Sequence, residues 1–198
     1  MAGTVKPKKP TPSEKPYNIA GDTLAAIWKD IEKNGPKING KNRAGKTTAE
    51  GEAKPNYKYK LKEDKAKGVV TCDLWTDIVN VTLLKTKIER PKLKSDKKLS
   101  DKAKKEWKRF YKELMAHEQE HVDAMMDEMK VMGGEVVNIT KTAEDADKKK
   151  ALEKAVADWS TDVLKVIDKS KIEARLKKVN EGLDSKSGHG PTLNTSIP

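Results

Sequence analysis

The chain has 198 residues, 35% hydrophobic and 37% charged, a balance that fits one soluble domain with a modest core and long solvated helices. A lone cysteine, Cys72, excludes an internal disulfide, and no apolar run is long enough to span a membrane. The net charge of +11 arises from 42 basic against 31 acidic residues spread along the chain, without a basic cluster interleaved with aromatics. That argues against specific nucleic-acid binding and for a general attraction to anionic surfaces such as envelope polymers.

Residues 1–16, "MAGTVKPKKPTPSEKP", read as a disordered Lys/Pro-rich tail. They hold no apolar core of a signal peptide, so the expectation is a cytoplasmic protein, one exported by a signal-independent route, or a trimmed secreted protein. A strand around Tyr17 leads to a helix from about Thr23 to Lys33, ended by Gly35-Pro36. From Thr47 to Arg90 the pattern turns β-like: "NYKYKLKE" alternates, while "GVVTCDLW" and "DIVNVTLLKTKI" are rich in branched residues and punctuated by Gly and Asp. This predicts an antiparallel sheet of roughly three or four strands. "PKLKSDKKLS" is a linker, and Ser100 caps a helix running to about Met132, where Gly133-Gly134 breaks it. A long polar helix is expected from about Thr142 to Asn180, with Leu152, Ala155, Val156, Trp159, Val163, Val166, Ile167 and Leu176 forming a stripe that packs on the preceding helix. Residues 17–192 then form a single domain, and 193–198 a C-terminal tail.

The helix after Ser100 carries the chemistry. His117-Glu118-x-x-His121 is an H-E-x-x-H pattern, and residues four apart lie one turn apart on one helix face, so both imidazoles reach a single zinc ion. The glutamate is not a ligand but a general base for a water on the metal. A Lys/Glu-rich helix could hold these letters by accident, and side-chain direction decides against it. At about 100° per residue from Trp107, the stripe of Phe110, Tyr111, Leu114, Met125 and Met129 lies within roughly 60°. Glu118 falls at about +20°, His121 at about −40° and His117 at about −80°, whereas Glu113, Glu120 and Asp123 point the other way. An accidental glutamate belongs with those solvated acids, because an unpaired buried carboxylate is costly.

A catalytic zinc site needs a third protein ligand. The candidates are His189, set between two glycines in "LDSKSGHGPT" that let a loop fold back onto the helix, the acids Glu135, Glu144 and Asp145 further down the chain, and Cys72.

Three segments carry a family resemblance: "YNIAGDTLAAIWKDIEKNGP", "WKRFYKELMAHEQEHVD" and "LDSKSGHGPT". Through them the chain resembles, over most of Tyr17 to Thr192, the bacterial family of predicted secreted zinc-dependent proteases, a domain of unknown function. The closing segment is similar to an Asp-x-x-Thr-x-His-Gly pattern. The resemblance implies that His189 is the third ligand and makes Asp184 a candidate acceptor for a ligand imidazole's second N–H. Leu183 and Ser187 stand where that pattern has Tyr and Thr.

The expected fold is therefore α+β and zincin-like, a small antiparallel sheet packed on the HExxH helix and a second long helix. "DIVNVTLL" is the candidate sheet edge for an extended substrate. The expected function is a zinc metallopeptidase, monomeric, using Zn2+ on His117, His121 and His189, with Glu118 as base and a protein or peptide substrate, with an association with the cell envelope. The alternative is a zinc-stabilised binding protein whose basic helices dock an anionic or protein partner. Of the oxyanion's possible donors, Tyr17, Tyr57, Tyr59 and Tyr111 are the tyrosines, and nothing in the sequence selects one.

Overall fold

The computed structural model describes residues 3–188 and 190–197. Its elements in chain order are strands β1 (Thr4–Lys8) and β2 (Ser13–Ile19), helix α1 (Leu24–Asn34), strands β3 (Lys37–Ile38), β4 (Lys41–Asn42), β5 (Lys46–Asp64) and β6 (Val69–Leu93), helix α2 (Asp101–Val137), strand β7 (Thr140–Asp145), and helices α3 (Lys148–Ile167) and α4 (Lys169–Ser187). The chain is mixed α and β, but its main sheet is not the small antiparallel one expected. Four strands pair with β6 to make a five-stranded sheet, with β1 and β2 parallel to it, β7 antiparallel, and β5 its hairpin neighbour. The "GVVTCDLW" and "DIVNVTLLKTKI" segments are one strand of 25 residues. Asp73 and Asp77, read as punctuation, lie on the sheet face opposite buried Cys72, Leu74 and Thr76 and pair with Lys62 and Lys58 of β5. A polar residue at every second position is what a half-exposed strand requires.

Contacts divide the chain into two compact units, each assembled from three separated stretches, an interleaving that the expected single domain over 17–192 does not anticipate. One unit comprises Met1–Pro10, Gly51–Leu84 and Met126–Lys177. In it, β1 pairs with Ile78–Thr82 and β7 with Val70–Trp75. "DIVNVTLL" is therefore an interior stretch covered by β1, not a free edge. The Lys/Pro segment is likewise not a disordered tail. Its composition hides the strands because their hydrogen-bond partner lies some seventy residues away, and parallel pairing tolerates Pro7 and Pro16 at an outer strand. "TKTAED", expected to open a helix, is strand β7, since ladder bonds to β6 outweigh the helix preference of Lys, Ala and Glu. The expected long helix is two: Asp147 caps α3, and Asp168 interrupts the run and caps α4 by accepting from Ser170 N. Trp159 of α3 packs on the sheet rather than on α2, donating from Nε1 to Thr76 Oγ1 at 2.8 Å. The start of α4 meets α2 instead: Arg175 pairs with Glu128 and, through Nη1 alone, with both carboxylate oxygens of Glu135 at 2.8 Å. Gly133-Gly134 does not end α2. A Cβ at Gly133 would lie 2.9 Å from Val5 Cγ1, so this glycine lets the helix pass close to β1.

The other unit comprises Thr11–Glu50, Lys85–Met125 and Lys178–Pro198. Here β2 runs parallel to Lys87–Leu93 of β6. Helix α1 starts as expected at an N-cap Thr23, whose hydroxyl accepts from Ala26 N, and stops at Gly35. Asn39 and Gly40, both at positive φ, turn the short β3–β4 hairpin, the usual residues for a two-residue turn. Helix α2 is capped by Ser100, which accepts from Ala103 N. Ile19, Leu24, Ile27, Phe110 and Leu114 form the core together with Leu193. The expected tail is therefore ordered at least through Leu193: Arg109 donates to the Thr192 carbonyl and Asn194 N donates to Glu106, which holds the segment on α2. Among the described residues no helix is long and apolar enough to cross a membrane.

Candidate metal centre

All the described residues of the site belong to the second unit. The middle of α2 delivers His117, Glu118 and His121 at 7%, 3% and 5% exposure, in line with the helical angles. The two imidazoles present Nε2 to each other at 3.2 Å with their rings crossed at 81°. Asp184, from the last turns of α4, adds a carboxylate whose Oδ1 stands 3.3 Å from His121 Nε2 and 3.7 Å from His117 Nε2. Ligands about 2.0–2.1 Å from a tetrahedral ion lie roughly 3.3–3.4 Å from one another, so these three atoms have the spacing of donors around one cation. They form a buried three-residue group with ligand atoms within 4.8 Å of one another, able to hold a metal ion. Burial, and then the charge of His121, push the His117 pKa down against the pull of Asp184, which favours the neutral imidazole that a metal binds.

The outer contacts are specific. His121 Nδ1 is 3.0 Å from Asn180 Oδ1, and Asn180 Nδ2 reaches Met125 Sδ at 3.5 Å. Thr47, at the start of β5, donates its hydroxyl to Glu118 Oε2 at 2.6 Å and also lies 3.1 Å from the Glu118 carbonyl. Gly45 faces the other carboxyl oxygen, and a Cβ there would overlap Oε1. Burial pushes the Glu118 carboxyl up to about 7, the Thr47 hydrogen bond opposes that rise, and the charge of Asp184 adds to it. Tyr17 donates to the Ala44 carbonyl at 2.7 Å, and its phenol is raised by burial and then by the Glu118 charge. It is thus the tyrosine that feels the charge of the Glu118 carboxylate.

Asp184, expected as an acceptor behind a ligand, has its carboxylate Oδ1 3.3 Å from His121 Nε2 instead, and it is the Asn180 side chain that stands at His121 Nδ1. His189 lies outside the described residues. Its neighbours behave as glycine spacing suggests: Gly188 and Gly190 have φ of 66° and 95°, and a Cβ at Gly190 would come 3.0 Å from His117 Cδ2, so this loop folds back onto the helix. The other candidates are engaged elsewhere. Glu135 pairs with Arg175, Asp145 with Lys154, Glu144 accepts from Thr71, and Cys72 is buried in β6 opposite Ala143. Sequence reasoning missed Thr47, Gly45 and Asn180. Only the last left a signal, since Asn180 and Asp184 stand four apart and share a helix face.

Residues 14–190 match the model of one protein family, described as a bacterial protein of unknown function (DUF922). No curated protein and no solved structure matches the chain.

Proposed function

The chain belongs to the DUF922 family of bacterial proteins of unknown function, and we propose that it is a zinc-dependent peptidase. The observation that carries this reading is Glu118. A carboxyl group 3% exposed, held by Thr47 and paired with no Lys or Arg among the described residues, is a costly feature that a purely structural metal site does not need. Zinc fits the donor set of two imidazoles and one carboxylate that His117, His121 and Asp184 would supply. When bound, zinc lowers the pKa of a water toward about 7 and polarises a carbonyl. Glu118 takes the proton of the attacking water and passes it to the leaving amine nitrogen, Thr47 keeps Oε2 fixed, and Gly45 leaves room beside Oε1. Among the described residues β5 pairs only with β6, so its second edge, beginning at the strand residues next to Glu118, is where an extended peptide is proposed to add.

The test is a peptide library digested by the zinc-loaded protein and read by mass spectrometry. Glu118→Gln is expected to retain zinc and lose roughly 10²–10⁴ in turnover. Equal cleavage by the variant removes Glu118 from the mechanism.

A second reading, favoured by the packing of Gly190 on His117, gives His189 the fourth donor position. Four protein donors close a zinc site and make it structural, as in a zinc-stabilised binding protein with basic helices for an anionic or protein partner.

A further inference from the structure

We propose that Asn180 is a positioning residue of this metal site, fixing the His121 tautomer that turns the Nε2 lone pair toward His117 and Asp184. The inference rests on the metal-binding reading above and adds a partner on α4 to the ligands of α2.

A neutral imidazole has one N–H and one lone pair, and it can present a lone pair to a metal through Nε2 only if the proton is on Nδ1. His121 Nδ1 has the Asn180 side chain 3.0 Å away. An amide could offer either its oxygen or its NH₂ there, and the far side of the same amide decides which. Its other end meets Met125 Sδ at 3.5 Å, and a thioether sulfur can only accept. The NH₂ therefore belongs on the sulfur and the oxygen on the histidine, so His121 Nδ1 must be the donor. The reverse tautomer would leave the Nδ1 lone pair facing the amide oxygen and aim an N–H at His117 Nε2 and Asp184.

Asn180 and Asp184 stand one turn apart on α4, as His117 and His121 do on α2. The last turns of α4 thus supply the carboxylate that joins the two imidazoles and the amide that orients one of them. Groups that accept the outer N–H of a ligating histidine commonly affect metal affinity about 10–100-fold.

The experiment uses the full chain labelled with ¹⁵N-histidine. In zinc-free protein at pH 8, where an ordinary imidazole is neutral, long-range ¹H–¹⁵N correlations report which ring nitrogen of His121 holds the proton. The wild type is expected to show Nδ1–H. Asn180→Ala should give a mixture of tautomers, and Asn180→Asp, which retains an acceptor, should restore Nδ1–H. Zinc titration against a chromogenic chelator should show Asn180→Ala weaker by about 10–100-fold and Asn180→Asp within a few-fold of wild type. A role confined to tying α4 to α2 would lower the melting temperature of the variant without moving the tautomer. Nε2–H in the wild type overturns the proposal without any variant, and so does zinc affinity unchanged in Asn180→Ala. A wild type that binds no zinc fails the metal reading itself, and this proposal with it, which is distinguishable from a wild type that binds zinc irrespective of residue 180.

Discussion

In the unit that contains Gly51–Leu84, acids stand opposite bases: Asp73 with Lys62, Asp77 with Lys58, Asp162 with Lys141 and Lys165, Glu128 and Glu135 with Arg175. In the unit that contains His117 the arrangement at the centre is different, with Glu118 3% exposed, held by the Thr47 hydroxyl and in no ion pair with a lysine or arginine among the described residues. Both units are drawn from one strongly basic chain, so a shortage of cations cannot explain the difference. Paired, half-exposed charges keep a sheet soluble and fix its face, each at a contribution of about 0–1 kcal/mol. A buried carboxyl without a base, as at Glu118, opposes folding, and it persists where a ligand or a reaction needs it.

The largest expected effect comes from removing the ion's donors. Alanine at His117, His121 or Asp184 should abolish the rise in melting temperature that added zinc gives the wild type, a stabilisation of about 4 kcal/mol at a thousandfold excess over Kd. Calorimetric scans with zinc and with chelator measure it. His189→Ala sharpens the comparison. If that variant keeps zinc, three donors suffice and the site is open; if it loses zinc as Asp184→Ala does, the fourth position is closed and the peptidase reading gives way to the structural one.

Glu118 provides the next effect, and its sign is set by the carboxyl's preference for its proton. Burial raises it from the ordinary 4.5 to about 7, so the folded chain binds that proton more tightly than the unfolded chain does. In zinc-free protein this contribution is most favourable below about pH 4.5, weakens as the pH rises toward about 7, and is constant above. The difference corresponds to about 3 kcal/mol. Glu118→Gln should therefore make chelated protein more stable than wild type at pH 8, with the gap closing at pH 5. Equal denaturant midpoints at both pH values would show that the buried carboxyl carries no cost and break the contrast between the units.

How much of this could be read in advance depended on sequence separation. His117, Glu118 and His121 share one helical turn or little more, so angle and spacing alone place them on one face, and the caps at Thr23 and Ser100 are equally local. Thr47 reaches Glu118 across 71 positions and Asn180 reaches His121 across 59, and no local pattern announces such contacts. The strands are hidden in the sequence for a related reason. Thr4–Lys8 looks disordered until Ile78–Thr82 supplies its ladder, and Thr140–Asp145 looks helical until Val70–Trp75 does. Asp73 and Asp77 read as turn residues because their lysine partners lie on another strand.

The smallest effect belongs to one of those aspartates. Asp73 accepts from Lys62 and from the Thr142 hydroxyl, and these hydrogen bonds hold its carboxyl below the usual carboxylate range. A lowered carboxyl contributes stability above its ordinary pKa and loses it as the pH falls through the lowered one. Asp73→Asn should thus cost about 1 kcal/mol or less at pH 7, because both partners are half exposed and screened by water. The loss should shrink in 1 M salt, where the screening length falls to about 3 Å, and shrink again in acid, where the wild-type carboxyl is itself neutral. Asparagine can still accept from Thr142, so only the ionic part of the contact is removed. A loss of several kcal/mol that is unaffected by salt would mean that Asp73 is part of a buried network like the one around Glu118, and the distinction between the two units would then no longer rest on how their acids are paired.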